Sequence, residues 1–495
     1  MRFSTVFIAA LLAASPGICA AETLADAIAL AYQTNPTLRA KRAELQSSDE
    51  TYVQAQAGFG PQVSINAQYG YQDARVQHPS SLFVQGGATD YRAGTGQADL
   101  SAVQPVYTGG ALRAQERGAG AGVLAAREAL RYTESQVLQG VVSAYVDVRR
   151  DRETVRVLQD EIVALSRDFD ETRAKGKLGA LTRTDVSQSE ARLLSAQAQL
   201  NLAQGKLSAS SAEYLNAVGQ NPGELEPEPD LPGIPAVVDQ AFEAADHNNP
   251  QLGEAVQNER AAREKVNQAK AANNATVSLK FDAAIIPTLP YLERQYDQSV
   301  TVAAVVSKPL FTSGLNSSKI RQALDDDNRA QLTVESARRG VVQLVAQAWD
   351  QWASTQNALA LQQRQLDAEA VTVQGNRAEE RVGLRTTIDL LNAELELANT
   401  RITVIQAKRD AYVAKAALLQ AMGLLEARYL TPQVQIYSPE RALKRVENPA
   451  LSAWSGAASQ LDMVAAPQTA APHLSPPAAG TDRPVTTAPL PPPSN

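Results

Sequence analysis

The chain has 495 residues, with 20% charged and only 5% aromatic residues. Its abundant Ala, Gln, Leu, Glu and Arg favour long helices or coiled coils. A formal net charge of −7 leaves no basic footprint for nucleic acid.

The N-terminus reads as a secretory signal. Arg2 precedes an apolar run from Val6 to Ala14, and small residues end at Cys19-Ala20-Ala21. Residues 1–21 are expected to be removed, and the single cysteine, Cys19, leaves with them. Disulfides then play no part in the mature chain. No later apolar run is long enough to span a bilayer as a helix. Such an exported chain is periplasmic, secreted, or a membrane β-barrel.

A first helix carrying Asn35-Pro36 leads to an alternating segment. From Gln62 to Tyr71 the odd positions Val63, Ile65, Ala67, Tyr69 and Tyr71 alternate with polar residues or glycine. A second strand is expected from about Gln97 to Val106, with Ala98, Leu100, Ala102 and Val106 on one face, and Asp73–Gly94 as a long loop between them. Gly118, Gly120 and Gly122 lack the Lys-Ser/Thr of a phosphate loop and read as close helix packing. A proline-free helix follows from about Ala111 to Lys175, and could extend roughly 100 Å. Its Val155, Leu158, Ile162, Leu165 and Phe169 step as a heptad seam. After a turn at Gly179, Leu193, Ala196, Leu200, Ala203 and Leu207 repeat the seam, and the helix stops near Gly219. A Pro-rich stretch, 220–235, precedes a shorter helix from about Val237 to Ala272.

The pattern then repeats. Strands are expected at Thr276–Ala283 and at about Ser299–Lys308, with Ala284–Gln298 as a short loop. Another long helical hairpin turns at Gly383. Gly179 and Gly383 are 204 residues apart, and the same offset joins Pro105 to Pro309, Gly110 to Gly314, Tyr145 to Trp349 and Gly219 to Gly423. Upstream the offset is 214, from Asn35-Pro36 to Asn249-Pro250. The chain is a tandem duplication, with a first repeat over 22–219 and a second over 236–423. Each holds a helix, a β-hairpin (62–106 and 276–308) and a long helical hairpin (111–219 and 314–423). An equatorial segment, 424–450, and a Pro/Ala-rich disordered tail, 451–495, complete it.

Alternation over about ten residues suits a tilted transmembrane strand. Four strands cannot close a membrane barrel, which needs at least about eight, and an open edge in lipid leaves backbone groups unpaired. The barrel must be shared: a dimer would supply eight strands and a trimer twelve.

From Thr23 to about Gln433 the chain resembles a TolC-type outer-membrane channel of efflux pumps and type I secretion systems. The resemblance rests on the tandem repeat, the Asn-Pro pairs, Gln104-Pro105-Val106-Tyr107-Thr108-Gly109-Gly110, Lys308-Pro309-Leu310-Phe311-Thr312-Ser313-Gly314 and the two tip turns. It implies an α+β membrane protein: a homotrimer sharing a 12-strand β-barrel in outer-membrane lipid and a 12-helix tunnel extending into the periplasm. It implies no catalysis and no cofactor. Its partners would be a periplasmic adaptor (membrane fusion protein) and an inner-membrane pump or ABC exporter.

The tips carry the candidate site. Thr182 or Thr184, and Thr386, can cap helix starts, with Asp185 and Asp389 near the positive helix ends. The resemblance implies more: Arg385, Asp185 and Thr184 as a polar gate, and Asp389 as a carboxylate ring at the entrance. Two positions depart from the family pattern. Glu380 stands where some members have a tyrosine, and Asn392 where some have a second aspartate ring. The small-residue tips Leu178-Gly179-Ala180 and Val382-Gly383-Leu384 would receive the adaptor. Asp325-Asp326-Asp327 lacks the spacing of a calcium loop, and the three histidines form no metal-ligand cluster. A periplasmic adaptor and a trimeric coiled-coil surface protein are the alternatives: the sequence shows no split lipoyl-type domain of the kind an adaptor carries, and a coiled-coil surface protein would lack the duplicated amphipathic strands.

Overall fold

A computed structural model describes residues 21–78, 86–179, 181–287, 296–431 and 436–446. The expected signal up to residue 20, the tail 451–495 and Ala180 lie outside the described residues.

In chain order the elements are α1 (Leu24–Thr34), α2 (Pro36–Ala57), β1 (Gln62–His78), β2 (Gly87–Tyr107), α3 (Ala111–Lys177), α4 (Arg183–Val218), α5 (Val238–Asn248), α6 (Pro250–Ala271), β3 (Thr276–Pro287), β4 (Tyr296–Ser307), α7 (Leu315–Arg381), α8 (Thr387–Ala421), α9 (Ala427–Leu430) and α10 (Pro439–Val446). The duplication is exact in the longest helices: α3 and α7 each have 67 residues. The Asn-Pro pairs do the same local work twice. The Asn35 side chain accepts from the N–H groups of Thr37 (2.9 Å) and Leu38 (3.3 Å). Asn249 accepts likewise from Gln251 (2.9 Å) and Leu252 (3.3 Å). The single helix expected over 237–272 is therefore two. Asn249 caps a new start, and Pro250 lacks the N–H needed to continue the old helix.

The chain forms two compact units. Among the described residues, one comprises those within 21–39, 133–245 and 344–436; the other comprises those within 40–132, 246–343 and 437–446.

The first unit contains the helical tips and a polar-pinned core. Tyr145 and Tyr214 are fully buried. The Tyr145 hydroxyl donates to the carbonyls of Glu22 and Glu226, both at 2.9 Å, and the Tyr214 hydroxyl to Glu22 Oε1 at 2.5 Å. Burial pushes the Tyr145 phenol up to about 12. The expected seam is present: Leu158, Leu165, Ala196 and Ala203 are buried.

The second unit contains one antiparallel sheet in the order β1-β2-β3-β4. Gly118 and Gly120 of α3 pass α6 and α2 closely: an added Cβ would meet Glu264 and Tyr52, each at 3.6 Å. The strand register aligns whole rows of side chains. Ile65, Leu100, Ala283 and Val300 form one row, and Val63, Ala102, Phe281 and Val302 the next. This apolar face is open in the protomer: Ile65 is 76% exposed and Val302 73%. Ser64, Ser101, Asp282 and Thr301 form a row of the opposite face. There Ser64 and Ser101 share a 2.8 Å hydrogen bond, and Asn66 donates to Asp99 at 2.8 Å.

Two strand expectations need correction. Much of Asp73–Gly94 is strand rather than loop, because opposite charges face each other across the ladder. Asp73 is in register with Arg92, and Arg75 with Asp90; their ion pairs measure 3.1 and 3.6 Å. Val106 does not continue the apolar face of β2. A bulge lies between Pro105 and Tyr107, and Tyr107 is the residue in register with Val277. Proline has no N–H for the ladder, so a bulge is where it fits.

Candidate functional site

The two tips are built by the same local chemistry. α7 ends in a Schellman turn: the Gly383 N–H donates to Glu380 O and the Leu384 N–H to Glu379 O, both at 2.9 Å. The Gly179 N–H donates to Gly176 O at 3.1 Å. Gly179 has φ +76° and Gly383 φ +78°, a region that glycine enters without steric cost. Each next helix starts with a reciprocal capping box. Asp185 Oδ2 accepts from the Thr182 N–H (2.9 Å) and hydroxyl (2.7 Å), and the Asp185 N–H donates back to Thr182 Oγ1 (3.2 Å). Thr386 and Asp389 repeat this at 3.2, 2.7 and 3.3 Å. Hydrogen bonds from the threonines hold both carboxyls below the usual carboxylate range.

Of the two threonines that could cap α4, Thr182 does so. Thr184 is exposed in its first turn. Arg385 Nε pairs with Glu379 Oε2 at 2.9 Å across the Gly383 turn. Among the described residues no ion pair joins Arg385 to Asp185 within the protomer. Leu178, Val382 and Leu384 are 86%, 71% and 76% exposed, so each tip presents apolar side chains to its surroundings. Lys175, paired with Glu171 at 2.7 Å, has its pKa raised by that bond and further by the charge of Glu380.

The sequence reading missed Glu379. Its signal was available: a carboxylate six residues before an arginine, with a glycine turn between. It also missed Arg192 of α4, which hydrogen-bonds to Asn392 of α8; a partner 200 residues away leaves no local signal. Among the described residues, no group of three or more His, Cys, Asp or Glu is placed to hold a metal. No described helix is long and apolar enough to cross a membrane.

Strands with one apolar and one polar face, joined to duplicated long helical hairpins with capped tips, define a class of channel-forming envelope proteins. Residues 27–220 and 241–424 match the family model described as outer membrane efflux protein. The chain belongs to this family and is an outer-membrane efflux protein. It is 30% identical over 427 residues to the outer membrane efflux protein BepC of Brucella suis biovar 1 (strain 1330), covering 86% of this chain and 91% of that one. It is 25% identical over 433 residues to the outer membrane protein TolC of Escherichia coli (strain K12), covering 83% and 84%. Among solved structures, the outer membrane protein VceC of Vibrio cholerae superposes with a TM-score of 0.67 at 19% identity, over 81% of this chain and 96% of that one. The open state of the Neisseria gonorrhoeae MtrE outer membrane channel gives 0.66 at 18%, over 82% and 90%.

Proposed function

We propose that three copies of this chain close a single twelve-stranded barrel in the outer membrane and enclose a twelve-helix tunnel in the periplasm. The assembly is an exit duct and performs no catalysis. The observation that carries this reading is the sheet. Its apolar face crosses all four strands, its other face is polar, and β1 and β4 stand at its two edges. In lipid, such edges must be paired with another copy.

The duct is closed at the helical tips and opened by a periplasmic adaptor and an inner-membrane pump or ABC exporter. Arg385, Asp185 and Thr184 form the gate by reaching between neighbouring hairpins. Asp389 supplies a ring of carboxylates at the entrance. The adaptor docks on Leu178, Gly179, Ala180, Val382, Gly383 and Leu384, where glycine lets a partner backbone approach. The cargo is small molecules or a secreted protein: BepC is named for efflux, and the alkaline protease secretion protein AprF of Pseudomonas aeruginosa for protease secretion.

The test is assembly and conduction. The mature protein, purified in detergent, is expected to have the mass of a trimer and to insert into planar bilayers as a channel. A monomer that stays soluble without detergent overturns the reading.

A further inference from the structure

We propose that Arg75 and Arg92, near the far end of the β1–β2 hairpin, bind the phosphates of the lipid headgroups around the barrel. This rests on the channel reading, which puts that end of the sheet at the outer surface.

The first hairpin is longer than its repeat. β1 and β2 have 17 and 21 residues, whereas β3 and β4 have 12 each. The described pairing of β2 with β3 ends at Ala98, but β1 and β2 stay paired to His78 and Gly87. Their register runs without a slip from Gln62 to His78, so side chains keep alternating between the same two faces. The face that starts on β1 as Val63 and Ile65 continues as Tyr69, Tyr71, Asp73 and Arg75. On β2 the same face passes from Leu100 and Ala98 through Gly96 and Gly94 to Arg92 and Asp90. These charges therefore lie on the apolar side of the sheet. The polar side of β1 holds Gln72, Ala74 and Val76 at this height. A ladder made for a watery lumen would carry its charges there instead.

Depth points to the headgroups. At about 3.3 Å per residue and a tilt of about 40°, Val63 to Tyr71 spans about 20 Å of bilayer height. Asp73 and Arg75 then stand about 5 and 10 Å above Tyr71. The headgroup layer is roughly 5–8 Å thick on each side, and the arginine stem lets the upper guanidinium reach back into it. Tyr69 marks the boundary. An added Cβ at Gly96 would lie 3.4 Å from its ring, and one at Gly94 would collide with its hydroxyl. The ring thus lies along β2 with its hydroxyl towards the Arg92 row, as suits an interfacial tyrosine.

The arginines keep a free fork. Arg92 Nε meets Asp73 Oδ2 at 3.1 Å and Arg75 Nε meets Asp90 Oδ1 at 3.6 Å, with arginine side chains 72% and 71% exposed. Among the described residues, neither guanidinium makes a hydrogen bond through its terminal nitrogens. Ion pairs this exposed contribute little to stability. The terminal nitrogens present the planar geometry that takes two phosphate oxygens. A phosphate seated there continues the lipid-facing band directly below it.

Native mass spectrometry of the detergent-solubilised trimer, titrated with bisphosphorylated lipid A, tests this. The parent is expected to retain that lipid and to release its dephosphorylated form. Arg75→Gln and Arg92→Gln should each weaken retention about tenfold, the factor for one hydrogen bond to a charged group. Lys280→Gln, on the polar face, should change nothing. Asp73→Asn and Asp90→Asn remove the competing carboxylates and should tighten retention. If the pairs only hold the ladder, the Asp and Arg variants fall alike, in trimer melting as in lipid retention. That pattern, or a conducting parent indifferent to the lipid's phosphates, overturns the inference and leaves the channel reading standing. Displacement of lipid A by equimolar inorganic phosphate also overturns it, because the arginines would then take free phosphate rather than a lipid surface. A parent that forms neither trimer nor channel overturns both.

Discussion

Thr182 and Asp185 satisfy each other's backbone and side chain at the start of α4, and Thr386 with Asp389 does the same at the start of α8. Both ends of each bond lie inside one tip. The carboxylates proposed for the gate, Asp185, and for the entrance ring, Asp389, are therefore already engaged within the protomer. A gating contact competes with a cap.

That gives a first prediction. Thr182→Val or Thr386→Val removes the hydroxyl and keeps the bulk. Amides in the first turn of the affected helix should exchange with solvent roughly fivefold faster, measured by hydrogen exchange on the trimer. Because both carboxyls are held below their ordinary value, the cap is fully present above that value and is lost as pH falls through the depressed one. Tip protection should therefore collapse in strong acid and be flat from pH 5 to 8. An unchanged exchange rate in Thr182→Val would mean that the cap does not order the turn.

A second prediction separates the two repeats. Gly109 and Gly314 both have positive φ, +69° and +82°, which costs an alanine about 1–2 kcal/mol. Only Gly109 is also crowded: an added Cβ would lie 2.5 Å from Asn274 Cβ, and Asn274 donates to the Gly109 carbonyl at 2.8 Å. Gly109→Ala should abolish trimer yield where Gly314→Ala only lowers the melting temperature. Equal yields from both would show that the sequence around Asn274 yields freely.

The sheet gives a third. Ile65 and Ser64 are neighbours on opposite faces of β1. Ile65→Arg puts a charge on the apolar face, at a cost of ~2–4 kcal/mol near the bilayer midplane. Ser64→Arg puts the same charge on the polar face. Denaturant titration of trimers in lipid should show a large loss for the first and little for the second. Equal losses would mean that the apolar face does not meet lipid.

Much of this architecture was legible because its signals are local. Alternation marked all four strands, and the 204-residue offset paired the tips. Strand ends were not legible: Asp73, Arg75, Asp90 and Arg92 look like loop residues until a partner strand sets each beside its opposite charge. The bulge at Pro105 was hidden because Val106 falls on the same even count as Ala98, Leu100 and Ala102, while only the register with β3 reveals the slip. At the tips the glycines and caps could be read from spacing. Arg192–Asn392 could not, because it exists only once two hairpins pack.

The tip glycines give a fourth prediction. A Cβ at Gly179 or Gly383 would meet nothing within 4 Å, so only the backbone resists substitution. Asparagine tolerates the left-handed region, and Gly179→Asn or Gly383→Asn should leave trimers intact. Gly179→Glu or Gly383→Glu should also assemble but abolish export, because a bulky charge then stands where the adaptor docks. Failure of all four variants to form trimers would make the glycines purely structural.

The last prediction concerns Arg385. Its guanidinium is held by Glu379 on its own hairpin at 2.9 Å, and the pair is about half exposed, so that bond is weak and exchangeable. If Arg385 closes the channel by reaching Asp185 across hairpins, Glu379 is its competitor. Glu379→Gln should then release Arg385 to the gate and lower single-channel conductance below the parent. Arg385→Ala and Asp185→Ala should each raise it, and the double variant should add little to either, as expected for two partners in one contact. Asp389→Asn should leave closure intact and weaken block by multivalent cations, since it removes a ring of negative charge. Conductance unchanged in Arg385→Ala, with Glu379→Gln also silent, would reduce both residues to a surface ion pair and leave closure to contacts between other turns of the hairpins.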